Sequence, residues 1–144
     1  DMVSFTGSTG AGVSVSEAAA TTVKRVTLEL GGKSANVALE DADPTLVAKK
    51  AIGACHQNSG QTCSALTRLI IPESMSDEVY EIIAKKNNSY TVGDPLEENT
   101  RCGPMVSLRQ QKSVSTYIQS GISEGATLVS GDLVCLKEFR KDTT

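Results

Sequence analysis

Short stretches of period-two hydrophobicity alternate with helix-length segments along this chain, and that rhythm constrains its fold more than any single residue. Met2, Val3 and Phe5 give an opening apolar run that stops at a turn rich in glycine, with Gly7, Gly10 and Gly12. A helix is predicted over Val13–Val23, favoured by three consecutive alanines. Lys24–Leu30 then alternates, with Val26, Leu28 and Leu30 on one side, until Gly31-Gly32 closes it. Ser34–Leu39 is a second short strand candidate. Asp43-Pro44 reads as an N-cap followed by a first-position proline. Val47, Ala51, Ala54 and Cys55 then recur on one helical face until the pattern fails at Asn58–Gly60. Thr67–Ile71 has the pattern of a buried strand, closed by Pro72. Ser76 is predicted to cap a third helix, with Asp77 and Glu78 in its first turn and Lys85 and Lys86 in its last. Ser107–Ser120 is a fourth helix, with Val114, Tyr117, Ile118 and Ile122 in line, and Ala126–Val129 is a last strand candidate. Strands alternating with helices predict an α/β fold, layered αβα around a mainly parallel sheet.

Composition narrows the function classes. A net charge of −3, no basic stripe and only 3% aromatic residues argue against nucleic acid as a partner. No apolar run approaches the ~20 residues of a membrane span, and no signal peptide is visible. The expectation is therefore a cytoplasmic chain without a membrane partner. The length of 144 residues suits one domain or a piece of a larger one, and the opening Asp1 in place of Met reads as a cut start. The four cysteines, Cys55, Cys63, Cys102 and Cys135, are separated by 8, 39 and 33 residues, and His56 is the only histidine. With no C-x-x-C pair, this spacing is poor for zinc and no metal is expected. The long helical patterns favour reduced thiols over a disulfide framework.

Three local features could carry chemistry. FTGSTGAG (Phe5–Gly12) ends a strand and begins a helix, where free backbone N–H groups and the helix dipole can face a phosphate. Its spacing is neither the dinucleotide fingerprint nor a P-loop, and a plain glycine-rich turn accounts for it as well. LELGGK (Leu28–Lys33) sets Glu29 between two leucines. A carboxylate desolvated by apolar neighbours gains proton affinity, which suits a general base; the alternative is an acid on the solvent face of a strand. NSGQTCSA (Asn58–Ala65) sets Cys63 among small residues, reachable and close to backbone donors that could stabilise a thiolate and an oxyanion. On these grounds alone, Cys63 is equally a nucleophile or a buried spectator. Cys55 reads as core, Cys102 as an exposed loop residue, and His56 as a helix-end residue with weak support as a partner for Cys63.

Taken together and in this order, these segments resemble the aldehyde dehydrogenase family. The resemblance is carried by FTGST (Phe5–Thr9), LELGGKSANV (Leu28–Val37), QNSGQTCSA (Gln57–Ala65), VGDP (Val92–Pro95), GPMVS (Gly103–Ser107) and YIQSG (Tyr117–Gly121), with 34 residues between Glu29 and Cys63. It implies that Cys63 attacks an aldehyde carbonyl, that hydride passes to NAD or NADP, and that Glu29 activates water to hydrolyse the thioester. It further implies the Cys63 amide as an oxyanion donor, Gly7 and Ser8 beside the cofactor pyrophosphate, and Leu30 and Gly31 near the nicotinamide. The implied division is residues 1–30 as the end of the cofactor-binding domain, 31–131 as part of the catalytic domain and 132–144 as a divergent tail. The family is several times longer, usually oligomeric, and holds its oxyanion asparagine, its adenosine-ribose contacts and its E-x-F-G-P motif outside these segments. The chain thus reads as a central fragment. The competing readings are a truncated non-catalytic homologue and a thiol-reactive α/β module without a cofactor.

Overall fold

The computed structural model describes residues 1–131. Strand β1 (Met2–Gly7) leads through Ser8 into helix α1 (Thr9–Ala20), and β2 (Arg25–Leu30) returns parallel to β1. The register runs from Met2 opposite Arg25 to Gly7 opposite Leu30. This βαβ unit is followed by a second: β3 (Ala35–Val37), α2 (Pro44–His56) and β4 (Arg68–Ile70), with β3 parallel to β4. Helices α3 (Ser76–Asn87) and α4 (Leu108–Ser123) complete the order. The α/β class with parallel pairing follows the alternation in the sequence, here as two separate two-stranded sheets.

Several boundaries moved for identifiable reasons. Helix α1 begins at Thr9, four residues before the predicted Val13. Ser8 caps it, its Oγ accepting from the Ala11 amide at 3.3 Å, so Gly10 and Gly12 lie inside the helix despite their cost of about 0.5–1 kcal/mol each. Gly12 has a packing reason: a Cβ there would stand 2.8 Å from Leu30 Cδ2, so a larger residue would have to push Leu30 aside or lift α1 from β2. The helix ends at Ala20, and Val23 takes a left-handed φ of 53°. Ser76 does not cap α3. A 3₁₀ turn over Glu73–Met75 has already wound the backbone, and Ser76 Oγ donates to Glu73 O. Asp43 does cap α2, accepting from the Leu46 amide at 2.8 Å.

The predicted buried strand Thr67–Ile71 shrinks to Arg68–Ile70, with only Leu69 turned inward and Ile70 48% exposed. Residues 126–129 form no strand, because no described segment offers them a ladder. The core is small: Ala48, Met75 and Val79, flanked by Val47, Leu69, Ile71, Ile82 and Ile83, seal α2 against α3. Helix α4 buries none of its residues, and Tyr117 on its apolar stripe is 79% exposed. No helix among the described residues is long and apolar enough to cross a membrane. The tail expected over residues 132–144, with Cys135, lies outside the described residues.

Candidate active site

Cys63 sits beyond the end of α2 in a turn that local sequence alone does not hold. After His56 the chain passes through three left-handed residues, Asn58 (φ 49°), Ser59 (φ 56°) and Gly60 (φ 75°). Such a backbone costs about 1 kcal/mol or more for a non-glycine residue, so something must hold it. Two side chains do. Ser59 Oγ donates to the Gly103 carbonyl at 2.9 Å, and Gln61 Oε1 accepts from the Val106 amide at 2.8 Å. Within the turn, Gln61 Nε2 donates to Asn58 O, and Asn58 Nδ2 donates to Gln61 O. The Ala65 amide then donates to Thr62 O at 3.1 Å, and Ala65 is buried, which anchors the far side of the turn. Cys63 stands between these anchors, exposed, with no hydrogen bond to its thiol among the described residues.

Glu29 lies in β2 opposite Thr6. Because strand side chains alternate, its neighbours Leu28 and Leu30 project to the other face, where they meet α1 at Gly12. The leucines therefore do not enclose the carboxylate, as their adjacency in sequence suggested, and Glu29 is exposed. Beyond it, Gly31 and Gly32 carry the chain toward the thiol turn. A Cβ on Gly32 would be 3.7 Å from the Cys63 carbonyl oxygen, ordinary van der Waals contact. Arg68 fastens the same loop: its Nε donates to Lys33 O at 2.9 Å and its amide to Ser34 O at 3.3 Å. The ELGGK and GQTC segments are thus neighbours in space, although no hydrogen bond joins Glu29 to Cys63.

Gly7 and Ser8 lie at the exposed N-terminal end of α1. A Cβ on Gly7 would stand 2.6 Å from Phe5 Cζ, so a larger residue there would have to displace the Phe5 ring. Ser8 engages the Ala11 amide, which leaves the first-turn amides of Thr9 and Gly10 at the open helix end. Leu30 is half-buried beneath α1, while Gly31 has nothing within contact distance of its Cβ position.

The other thiols are placed differently. Cys102, expected in the open, is buried: Val92 and Cys102 pair in a β-bridge, and the Thr91 carbonyl accepts from the Cys102 amide. Burial pushes the Cys102 thiol above the ordinary range, and the nearby Cys55 adds to this; burial alone does the same to Cys55. His56 Nδ1 donates to Ile52 O at 3.0 Å, and its ring lies against Tyr90 with centroids 4.9 Å apart. No hydrogen bond joins it to the Cys63 thiol. No group of three potential metal ligands occurs among the described residues.

Sequence reasoning passed over Ser59, Gln61, Arg68 and Gly32 as individuals. Ser59 and Gln61 lie inside the quoted motif and their anchors inside GPMVS, but nothing in either segment announces that they meet.

Parallel βαβ units that bring a strand glutamate's loop against an exposed cysteine turn define the class of molecule, and comparison with known proteins defines the family. The model of the aldehyde dehydrogenase family matches residues 1–142. The chain is 47% identical over 133 residues to 3-succinoylsemialdehyde-pyridine dehydrogenase from a Pseudomonas species, covering 92% of this chain and 28% of that protein. It is 45% identical to a peroxisomal aminoaldehyde dehydrogenase from Pisum sativum, covering 91% of this chain and 26% of the relative. Among solved structures it superposes on aldehyde dehydrogenase C from Pseudomonas syringae, a mutant complexed with NAD+ and octanal, with a TM-score of 0.88 and 46% identity over 91% of this chain and 27% of the other. The chain belongs to the aldehyde dehydrogenase family, and it spans about a quarter of the length of these relatives.

Proposed function

We propose that this chain carries the nucleophile and general base of an NAD(P)-dependent aldehyde dehydrogenase. The observation that carries the reading is the closeness of Gly32 to the Cys63 carbonyl, which a Cβ at Gly32 would approach to 3.7 Å, so that the glutamate's loop runs beside the cysteine turn. The Cys63 thiolate adds to an aldehyde carbonyl to form a thiohemiacetal, its own amide serving as one donor to the oxyanion. NAD or NADP, when bound, supplies the hydride acceptor that converts this adduct to a thioester. Glu29, exposed on β2, takes a proton from water, which attacks the thioester and releases the carboxylic acid and free Cys63. The open first turn of α1 fits an anionic pyrophosphate, with Gly7 and Ser8 beside it, and Gly31 offers unobstructed backbone for the nicotinamide. Leu30 contributes through its main chain, since its side chain packs under α1.

The two sheets support the proposed division, the β1–α1–β2 unit serving the cofactor and the β3–α2–β4 unit the thiol. A homo-oligomer is the assembly proposed for the whole protein, checked by sedimentation. The reading is tested by alkylating the folded chain with iodoacetamide and locating the label by mass spectrometry, alongside an assay for reduced cofactor with an aldehyde and NAD or NADP. Cys63 should label first. Faster labelling of Cys55 or Cys102 would remove the nucleophile from this reading.

A further inference from the structure

We infer that Arg68 is a positioning residue that sets the glutamate's loop against the cysteine turn. The inference rests on the proposed roles of Glu29 and Cys63, and goes beyond them to a residue outside every chemical motif. Arg68 follows Cys63 by five residues and opens β4. It grips two consecutive carbonyls of the other segment. Its amide donates to Ser34 O at 3.3 Å, and its guanidinium Nε donates to Lys33 O at 2.9 Å. The amide bond extends the β3–β4 ladder by one step and would survive any substitution except proline. The Nε bond belongs to the side chain alone and prolongs the hold into a stretch that has no strand pairing. Immediately before it lies Gly32, where a Cβ would stand 3.7 Å from the Cys63 carbonyl oxygen.

The span Glu29–Lys33 therefore has one fixed end in β2 and one in Arg68, and the thiol turn rests between. Glycines at 31 and 32 make that span supple, so the carbonyl grip decides where it rests. A charged donor on a carbonyl is the stronger kind of hydrogen bond. Arginine suits this use because Nε lies within a rigid plane that fixes its direction of donation. Arg68 is exposed, on the strand face opposite Leu69, so its side chain contributes little to general stability.

The test compares the wild-type chain with Arg68→Met and Arg68→Lys, following iodoacetamide labelling of Cys63, Cys55 and Cys102 by mass spectrometry at one pH. In Arg68→Met, Cys63 labelling should slow by about tenfold, the lower end of the equilibrium weight of a hydrogen bond from a charged donor. Cys55 and Cys102 should keep their wild-type protection, showing that the fold is intact. Arg68→Lys, which restores a charged donor of similar reach, should recover at least half of the lost rate. An unchanged Cys63 rate in Arg68→Met, or parallel changes at all three thiols, overturns the positioning role while leaving the nucleophile reading in place. A wild-type Cys63 that labels no faster than the half-buried Cys55 and the buried Cys102 overturns the nucleophile reading and this inference together.

Discussion

The two segments assigned to chemistry are held in place by opposite means. Glu29 is carried by a strand whose register, face and limits come from its own residues: alternation sends Leu28 and Leu30 inward, and β1 supplies an unbroken parallel ladder. Cys63 is carried by an irregular turn whose conformation is unfavourable by itself and is secured by Ser59 and Gln61 on carbonyl and amide groups more than forty residues away. The proposed base is positioned by periodic local structure, and the proposed nucleophile by particular side chains meeting a particular distant segment.

This contrast can be broken at several points. The largest effect is expected from Cys63→Ala. It should remove the fast-labelling thiol and reduce aldehyde-dependent cofactor reduction at least about 10⁴-fold in enzyme that turns over, the scale of losing a covalent nucleophile. Glu29→Gln should lower steady-state turnover by about 10²–10⁴-fold, as general-base removal does. It should preserve a first burst of reduced cofactor, since thioester formation precedes the step that needs the base. Loss of the burst together with turnover would show that Glu29 acts earlier.

Smaller perturbations separate the two kinds of support. Gly12→Val would drive its side chain into Leu30 and push α1 away from β2, costing about 1–3 kcal/mol of unfolding free energy in a chemical denaturation curve. The Cys63 labelling rate should stay within about twofold of wild type if the two segments are independently held, given the additivity of separated sites. Gln61→Ala should act in the reverse sense. It removes the acceptor for the Val106 amide, speeds hydrogen exchange there, costs about 1 kcal/mol and leaves the β1–β2 amides as protected as before.

The smallest effect is a pH dependence. Burial raises the proton affinity of Cys55 and Cys102 in the folded chain. Between the unfolded and folded thiol values the native state holds more protons, so the melting temperature should fall as pH rises above about 8.5, the ordinary thiol value. It should not depend on these two groups below that range. Replacing both by alanine should flatten this alkaline slope.

The same contrast explains what could be read from the sequence. The α/β alternation, the Asp43 cap with Pro44, and the face of Val47 and Ala51 are consequences of neighbours in sequence, and the structure follows them. The sequence predicts a later start for helix α1 because Gly10 and Gly12 read as punctuation, whereas Ser8 caps the helix ahead of them and the second of them packs closely on Leu30. Cys102 was read as exposed because Gly103-Pro104 marks a loop, and its burial depends on the pairing with Val92. The apolar surroundings expected for Glu29 came from adjacency along the chain, which a pleated strand converts into separation across its two faces. In the candidate site the residues with chemical character were legible as types, whereas Ser59, Gln61 and Arg68 gain their meaning only from carbonyl and amide groups brought to them by the fold.

The braces of the thiol turn also impose an order in time. The Ser59–Gly103 and Gln61–Val106 bonds each close a loop of more than forty residues, and such loops are closed late because their entropy must be spent before the contact forms. During synthesis, Cys63 leaves the ribosome well before Gly103 and Val106. For that interval, at about 5–20 residues per second, the nascent chain displays the Cys63 thiol on a turn that nothing yet restrains. The arrival of the five-residue segment Gly103–Ser107, to which no part of the proposed chemistry is assigned, is what turns this thiol from a loose group into one held in register.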